Sequence, residues 1–165
     1  MHFPEMLYSL DMNKQSDTKK LICTVLQTNN FAVLATEGNG QPHASLIAIT
    51  PLENCSKLFF ATYRNTLKYS NLKRNSKLAF LIENREVTIQ NTQTSIVLTI
   101  VGYATEINIA DNEAACQAHL SRHSELESFL KSSDCALFLV TAQSYQIVIG
   151  IDDIRWIKAE ELDFT

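Results

Sequence analysis

Short apolar runs separated by polar turns dominate this sequence, and their pattern predicts β-strands. Residues 31–36 and 42–50 form two such runs on either side of the turn Glu37-Gly38-Asn39-Gly40. Because Gly and Asn tolerate the positive φ angles of a tight turn, these two runs are predicted to form a β-hairpin. Similar runs predict further strands at residues 58–61, 77–82, 95–107, 135–141, 145–149 and 154–157, with Gly102 at a bulge.

Four other segments repeat their apolar residues at helical spacing. The first begins at Ser16 or Asp17, either of which can cap a helix. Its apolar face comprises Leu21, Ile22, Val25 and Leu26. Residues 67–75 predict a short helix with Leu67 and Leu72 facing inward, and residues 110–122 and 125–131 predict two more. Residues 84–94 are polar and predict a long connection. The fold class is therefore mainly β (α+β), an antiparallel barrel with helices outside.

Composition and charge narrow the class of protein. The 165 residues are 45% hydrophobic and 19% charged, which predicts one compact domain over residues 1–165. The net charge of −4, without a basic stripe, argues against a nucleic-acid partner. The N-terminal residues lack a signal peptide's features, and no apolar run approaches the ~18–20 residues that span a bilayer. We therefore expect a cytoplasmic protein whose four scattered cysteines are reduced and mostly buried.

The stretch from residue 58 to residue 82 carries the strongest candidate chemistry. It predicts a strand, a polar turn, a short helix and a second strand. The turn and the start of the helix concentrate hydroxyls, an amide and two cations, at Thr62, Tyr63, Arg64, Asn65, Thr66 and Lys68. A helix N-terminus offers free N–H groups and a partial positive charge. These groups together suit a phosphate monoester, although a solvated turn with a helix cap would use the same residue types.

At this stretch the sequence resembles a known family. ATYRNTLKYSNLKRNSKLAFLIE is similar to the FMN-phosphate segment of the pyridoxamine-5'-phosphate-oxidase-like split barrels, within a resemblance that covers residues 31–106. The matching residues are Thr62, Thr66, Lys68, Asn71-Leu72 and Asn75. Leu67 replaces the Arg that many members place before the Lys, and Ser76 replaces a usual Pro. Arg64 is the candidate to supply the missing cation.

The resemblance implies a fold, a cofactor and an assembly. The fold is a six-stranded antiparallel split β-barrel with peripheral helices, and the protein is a homodimer that binds FMN non-covalently at the subunit interface. FMN then serves in redox chemistry on a small molecule. Besides the phosphate residues, the implied cofactor site comprises Ser45, Leu46, Ile47 and Ala48 along the flavin ring, Ala61 beside Thr62, and Asn84, Arg85 and Trp156. A surface turn at Asn84-Arg85 and a core position for Trp156 are the competing interpretations.

A true pyridoxamine-phosphate oxidase is not the expected activity. The segment GIDDIRWIKAEELDFT keeps Arg155-Trp156 but lacks the Arg-x-His and the Pro of those enzymes. A binding protein for flavin, deazaflavin or haem on the same barrel is the alternative, and haem would require an axial ligand from His43, His119 or His123. Cys116, His119 and His123 share one helical face, but no fourth ligand is apparent, so no metal site is predicted. No pair of catalytic carboxylates or phosphate loop is apparent either.

Overall fold

The protein is described by a computed structural model that covers residues 12–89, 92–150 and 153–162, with side chains described for all of these except residues 12–14, 85–89 and 92–94. The helices are α1 (Met12–Thr28), α2 (Leu67–Arg74), α3 (Glu113–Arg122) and α4 (Glu127–Leu130). The strands are β1 (Phe31–Gly38), β2 (Gln41–Ala48), β3 (Thr50–Leu52), β4 (Lys57–Tyr63), β5 (Lys77–Ile89), β6 (Thr92–Ile107), β7 (Cys135–Ile149) and β8 (Asp153–Lys158).

The strands form one antiparallel sheet that curls into a split barrel. Its order is β2-β1-β5-β6-β7-β4-β3, and β8 pairs with β7. The two ends of this order are consecutive in the chain, since β2 ends at Ala48 and β3 begins at Thr50. The sheet therefore curls back on itself and brings β2 near β4. The split-barrel prediction is confirmed, with eight strands in place of the predicted six.

The predicted hairpin is present, and its turn follows the sequence signal. β1 and β2 pair from Phe31 opposite Ala48 to Gly38 opposite Gln41. The two turn residues, Asn39 and Gly40, have φ angles of 55° and 80°. Such angles suit the right-handed twist of a two-residue hairpin, which explains the Asn-Gly sequence.

Two predictions about the long strands were wrong. Residues 84–94 do not form a long connection, because β5 continues to Ile89 and β6 begins at Thr92. The β-branched residues in this stretch favour strand pairing even though the stretch is polar. Residues 135–149 form one strand instead of two, with a register shift opposite Val101 and Gly102. At that bulge, a Cβ on Gly102 would collide with the Thr141 carbonyl, so only glycine fits.

The barrel interior is the main core, and helices close it. Large side chains that are fully buried include Phe60, Phe80, Phe138 and Tyr145. Helix α1 adds Ile22, Val25 and Leu26 to this core, with Leu21 at its edge, and it begins at Met12 rather than at Ser16 or Asp17. In α2, Leu72 is buried as predicted, whereas Leu67 is 57% exposed, so its predicted inward orientation was wrong.

Helices α3 and α4 cover the outer side of the sheet at β4 and at the first half of β7. A second apolar cluster lies between them and the sheet, and its buried members are Phe59, Ala61, Cys116, Leu130, Cys135 and Leu137. None of the helices described here is long and apolar enough to cross a membrane.

Candidate functional site

The candidate phosphate site lies where β4 ends and α2 begins. Thr66 is the N-cap of α2, and its hydroxyl accepts a hydrogen bond from the backbone N–H of Tyr69 at 3.4 Å. The same hydroxyl donates to the Tyr63 carbonyl at 2.7 Å, which fixes the turn. The N–H groups of Leu67 and Lys68 belong to the first turn of the helix and so lack intrahelical acceptors. They are the donors that a helix N-terminus presents to an anion.

Thr62 joins this helix start from the end of β4. Its side chain is buried, and its hydroxyl lies 3.1 Å from that of Thr66. Thr62 follows Phe60 by two residues, so both side chains face the interior of the barrel. The predicted pair of hydroxyls is therefore assembled at the mouth of the barrel.

Two of the nearby cations are already paired with a carboxylate. Glu106, near the end of β6, accepts hydrogen bonds from Arg64 Nη1 at 2.5 Å and from Lys73 Nζ at 2.9 Å. The Tyr69 hydroxyl lies 2.8 Å from Arg64 Nη1. Partial burial raises the pKa of Glu106, but hydrogen bonds from Lys73 and Arg64 outweigh it and hold the pKa below its usual value. Glu106 therefore stays ionised and neutralises charge that the sequence assigned to a phosphate.

A cleft of about 410 Å³ opens beside this ion-pair cluster. It lies between α2 and the strands β6 and β7, and Leu72, Tyr103, Glu106 and Phe138 contribute to its lining. The cleft is at the C-terminal half of α2, whereas the phosphate candidates lie at the N-terminal end of that helix.

Lys68 differs from the other two cations. It is half-buried on the first turn of α2, and no carboxylate among the residues the structure describes pairs with it. An uncompensated ammonium beside a helix N-terminus and two hydroxyls has the character of an anion site.

The predicted flavin-ring residues line a gap between two strand edges. β2 is the last strand at its end of the sheet, so among the described strands only β1 pairs with it. β3 pairs with β4 only at Lys57–Phe59. The edge of β4 that faces β3 is therefore unpaired from Phe60 to Tyr63 within the described sheet. The contact between β2 and β4 brings these two edges together. The gap therefore presents backbone N–H and C=O groups from both predicted ring segments, residues 45–48 and residues 61–62.

Side chains of β2 alternate between the two faces of the sheet. Ile47 is buried in the core, whereas Leu46 is 69% exposed on the outer face and Ala48 is half-buried. The Ser45 hydroxyl oxygen is buried and has no hydrogen-bond partner among the described atoms. A buried hydroxyl without a partner costs about 1–3 kcal/mol, so a bound group that pairs with it would be stabilised.

The remaining residues of the predicted turn have other surroundings. Ala61 is buried in the outer cluster under α3 and α4. The Tyr63 ring packs edge-on against Phe129, with centroids 4.6 Å apart. Asn65 is exposed between Tyr63 and the helix cap.

Trp156, the candidate nearest the C-terminus, lies far from the phosphate site. Thr62 pairs with Ala136 near the start of β7, and Trp156 pairs with Gln146, ten residues further along that strand. At about 3.3 Å per residue, this separates the two by about 30 Å along the strand. Within one chain, Trp156 and the phosphate candidates therefore do not meet at one cofactor.

Asn84 has a contact that explains its burial. Its side-chain amide donates to the Thr28 hydroxyl at 2.8 Å and so joins β5 to the end of α1. The side chain of Arg85 lies outside the described residues.

Three of the histidine and cysteine candidates lie on α3 or at its end, where they face the sheet, and the fourth, His43, lies on β2. His119 is fully buried, and its Nδ1 is 2.8 Å from the Thr50 hydroxyl. His123 is also buried, with Nε2 2.9 Å from the Ile49 carbonyl. Cys116 packs in the outer cluster, and His43 is half-buried on β2. Within the described part of the chain, no three His, Cys, Asp or Glu side chains are placed to hold a metal ion.

Sequence reasoning missed the cluster around Glu106. Tyr69 and Lys73 are one helical turn apart on α2, a spacing that places both side chains on one face. This spacing was a usable signal, but nothing in the sequence indicated that Glu106, 33 residues after Lys73, completes the cluster.

The class of protein follows from comparison with known proteins. Residues 18–146 match the family model described as pyridoxamine 5'-phosphate oxidase, and the chain therefore belongs to this family. No curated protein is similar enough in sequence to match the chain.

Solved structures show the same fold at low sequence identity. A haem-binding protein from Mycobacterium smegmatis is 18% identical, with a TM-score of 0.77 over 94% of this chain and 61% of that one. The chain thus spans less than two thirds of that protein. A putative pyridoxamine 5'-phosphate oxidase from Listeria innocua is 18% identical, with a TM-score of 0.60 over 80% of this chain and 97% of that one. An FAD-binding protein from Mesorhizobium loti is 16% identical, with a TM-score of 0.63 over 79% of this chain and 94% of that one.

Proposed function

We propose that this protein binds FMN as a homodimer and is a flavin-dependent oxidoreductase that acts on a small molecule. The observation that carries the proposal is the difference between Lys68 and its neighbours. Glu106 pairs with Arg64 and Lys73, whereas no described carboxylate pairs with Lys68 beside Thr62 and Thr66. Membership of the pyridoxamine 5'-phosphate oxidase family supports a flavin rather than another phosphate ester.

Other residues of the chain fit the rest of the cofactor. The gap between β2 and β4 offers backbone donors and acceptors to the edge of a flat heteroaromatic ring, near Ile47 and Thr62. The Ser45 hydroxyl is a further polar group that lacks a partner in the described structure. FMN, when bound, supplies hydride or electron transfer. The chain's own part is to offset the phosphate charge through Lys68 and the amides of the first turn of α2, and to orient the ring along the two strand edges.

A second subunit completes the proposed site. The outer face of β2, β1 and β5 carries Leu46, Phe31 and Leu81, which are 69%, 50% and 44% exposed. An apolar face of this kind suits burial against another copy. The separation between Trp156 and Thr62 along β7 also favours a dimer, because Trp156 then reaches a flavin only in the partner's site.

Removal of the Lys68 charge tests the phosphate site. We expect Lys68→Ala to weaken FMN binding by roughly 1.5–3 kcal/mol, the scale of a hydrogen bond to a charged group. The matched control is Lys73→Ala, because Lys73 lies on the same helix but pairs with Glu106. Fluorescence titration of FMN measures both affinities. Equal affinities for Lys68→Ala and the unmodified protein would place the phosphate elsewhere.

Turnover requires a separate measurement. A purified protein with a flavin absorption spectrum that consumes NADH or NADPH in the presence of an acceptor is an oxidoreductase. A bound flavin that is never reduced or reoxidised under these conditions would indicate a binding protein instead.

Haem binding is the second candidate function, and similarity to the Mycobacterium smegmatis protein favours it. A haem needs an axial ligand. His119 and His123 are buried and hydrogen-bonded. His43 on β2 is therefore the most accessible of the three histidines that the structure describes. A Soret band after haem addition that disappears in His43→Ala would support this function. Absence of haem uptake by a protein that binds FMN would exclude it.

A further inference from the structure

Two cysteines from separate elements meet beside the end of the barrel that α1 covers. Cys23 lies on α1, and Cys55 ends the short 3₁₀ turn Glu53–Cys55 between β3 and β4. The Cys23 thiol donates to the Asn54 carbonyl at 3.5 Å, so its sulfur lies against the peptide unit that leads into Cys55. Cys23 is partly exposed, whereas Cys55 is only 4% exposed.

The backbone that carries Cys55 is strained. Glu53, Asn54 and Cys55 have φ angles of 47°, 53° and 72°, in the left-handed region that residues other than glycine and asparagine rarely adopt. Three consecutive residues of this kind persist only where the surroundings fix them. Here the Ser56 hydroxyl donates to the Glu53 carbonyl at 2.8 Å, and Lys57 pairs with the Glu53 carboxylate at 3.0 Å. The turn thus holds the Cys55 side chain towards α1.

Positive charge lies near the Cys55 thiol. Burial raises the pKa of Cys55 to about 12, and its hydrogen bond with Cys23 contributes, whereas Arg122 and Lys19 act in the opposite direction. Arg122 is fixed in place because its Nη2 donates to the carbonyls of Leu26, Gln27 and Asn29 at the end of α1. Arg122 and Lys19 thus favour the thiolate of Cys55, and the partly exposed Cys23 is the member of the pair that a peroxide can reach.

We propose that Cys23 and Cys55 form a redox-active dithiol, which a hydroperoxide oxidises to an intramolecular disulfide. The Cys23 thiolate attacks the peroxide, which breaks the O–O bond, forms a sulfenic acid and releases water or an alcohol. The Cys55 thiolate then attacks the Cys23 sulfur, the S–S bond forms, and the departing hydroxide takes up a proton as water. Two electrons pass from the two sulfurs to the peroxide, and an external dithiol returns them.

The other two cysteines provide an internal comparison. Cys116 and Cys135 are buried in the cluster under α3 and α4, and burial raises the pKa of both thiols, that of Cys135 to about 11. Cys116 and Cys135 are 8% and 9% exposed, and neither is next to a residue with a positive φ angle. Both of these thiols are buried, whereas Cys23 of the proposed pair is partly exposed and can meet a peroxide, so Cys116 and Cys135 are expected to stay reduced under the conditions that oxidise Cys23 and Cys55.

Peptide mapping of the unmodified protein tests the proposal without any variant. Cys23 and Cys55 lie in one tryptic fragment, residues 21–57, because no Lys or Arg occurs between Lys20 and Lys57. After treatment with a few equivalents of hydrogen peroxide and alkylation, we expect this fragment to lack label and to be lighter by two hydrogens than the reduced fragment. Cleavage after Glu37 and Glu53 should leave the piece with Cys23 and the piece with Cys55 joined until dithiothreitol is added.

Variants and pH then test the order of the two steps. Cys23→Ser should abolish disulfide formation, whereas the double variant Cys116→Ala/Cys135→Ala should retain it. The rate should increase with pH, since more of the buried Cys55 is then thiolate. Full alkylation of all four cysteines after peroxide, a disulfide between two chains, or a Cys23 sulfinic acid beside a free Cys55 would each overturn the proposal.

Discussion

The outer face of the sheet differs between its two halves. At β4 and the start of β7, α3 and α4 cover the outward-facing side chains, and Phe59 there is fully buried. The half at β2, β1 and β5 is largely uncovered, and its outward-facing Leu46 and Leu81 are 69% and 44% exposed. The sequence pattern is apolar in both halves.

The difference shows where the chain completes its own core and where it leaves apolar surface for another molecule. A covered half contributes to folding of the single chain, because burying an apolar side chain is worth roughly 1.5–3 kcal/mol. An uncovered half contributes only when a partner binds. The proposed flavin site borders the uncovered half through β2, so variants in the two halves should differ in their effects on folding and on assembly.

The largest effect is expected in the covered half. Phe59→Ala removes a fully buried ring that packs 4.9 Å from the His119 ring, centroid to centroid. Truncation of a buried Phe leaves a cavity, and we expect the free energy of unfolding to fall by about 3–5 kcal/mol. Urea denaturation measures this change, with Leu46→Ala as the control from the uncovered half. Equal losses in both variants would show that the two halves are equivalent.

The second effect is a pH dependence that arises in the same covered half. Burial, together with the nearby His123 and Arg122, lowers the pKa of His119 from 6.5 to about 4. The unfolded chain therefore binds the proton more readily than the folded chain. The stabilisation is complete above the unfolded pKa of 6.5 and is lost as the pH falls towards 4.

At 1.36 kcal/mol per pKa unit, this loss amounts to roughly 2–3 kcal/mol. Urea denaturation between pH 7 and pH 4 measures it. His119→Gln should flatten the dependence, whereas His43→Gln, on the half-exposed hairpin, should preserve it. A His119→Gln protein with an unchanged slope would assign the pH dependence to other groups.

Much of the fold was predictable because it depends on local patterns. Short apolar runs located the strands, the turn Glu37-Gly38-Asn39-Gly40 located the hairpin, and the polar turn before residue 67 located the start of α2, where Thr66 is the N-cap. The strand count and the long strands were missed since they depend on pairing between distant segments. The polar residues after Asn84 gave no sign that β5 continues to Ile89.

The candidate site was only partly predictable, for a related reason. Thr62 and Thr66 are four residues apart, and their hydroxyls meet as the local pattern suggested. The partner of Arg64 is Glu106, 42 residues away, and no sequence pattern indicates such a pair. The burial of Leu72 and the exposure of Leu67 on α2 likewise follow from how the helix docks on the barrel. Charge pairing and docking are properties of the folded chain, so the sequence alone could not show that Arg64 already has a carboxylate partner.

The smallest expected effect concerns the uncovered half and decides whether a second copy covers it. Leu46→Glu adds a charge to a side chain that is already 69% exposed, so stability of the single chain should change by less than about 0.5 kcal/mol. Burial of that charge between two copies is unfavourable. We therefore expect the proposed dimer of Leu46→Glu to dissociate at protein concentrations at least about tenfold higher than the dimer of the unmodified protein does. Sedimentation velocity over a concentration series measures this shift.

Ile109→Glu is the matched control, because Ile109 is 49% exposed in the loop before α3 and away from β2. If both variants dimerise equally well, the face that carries Leu46 is not the dimer interface, and the partner's Trp156 is not placed to reach the flavin through it.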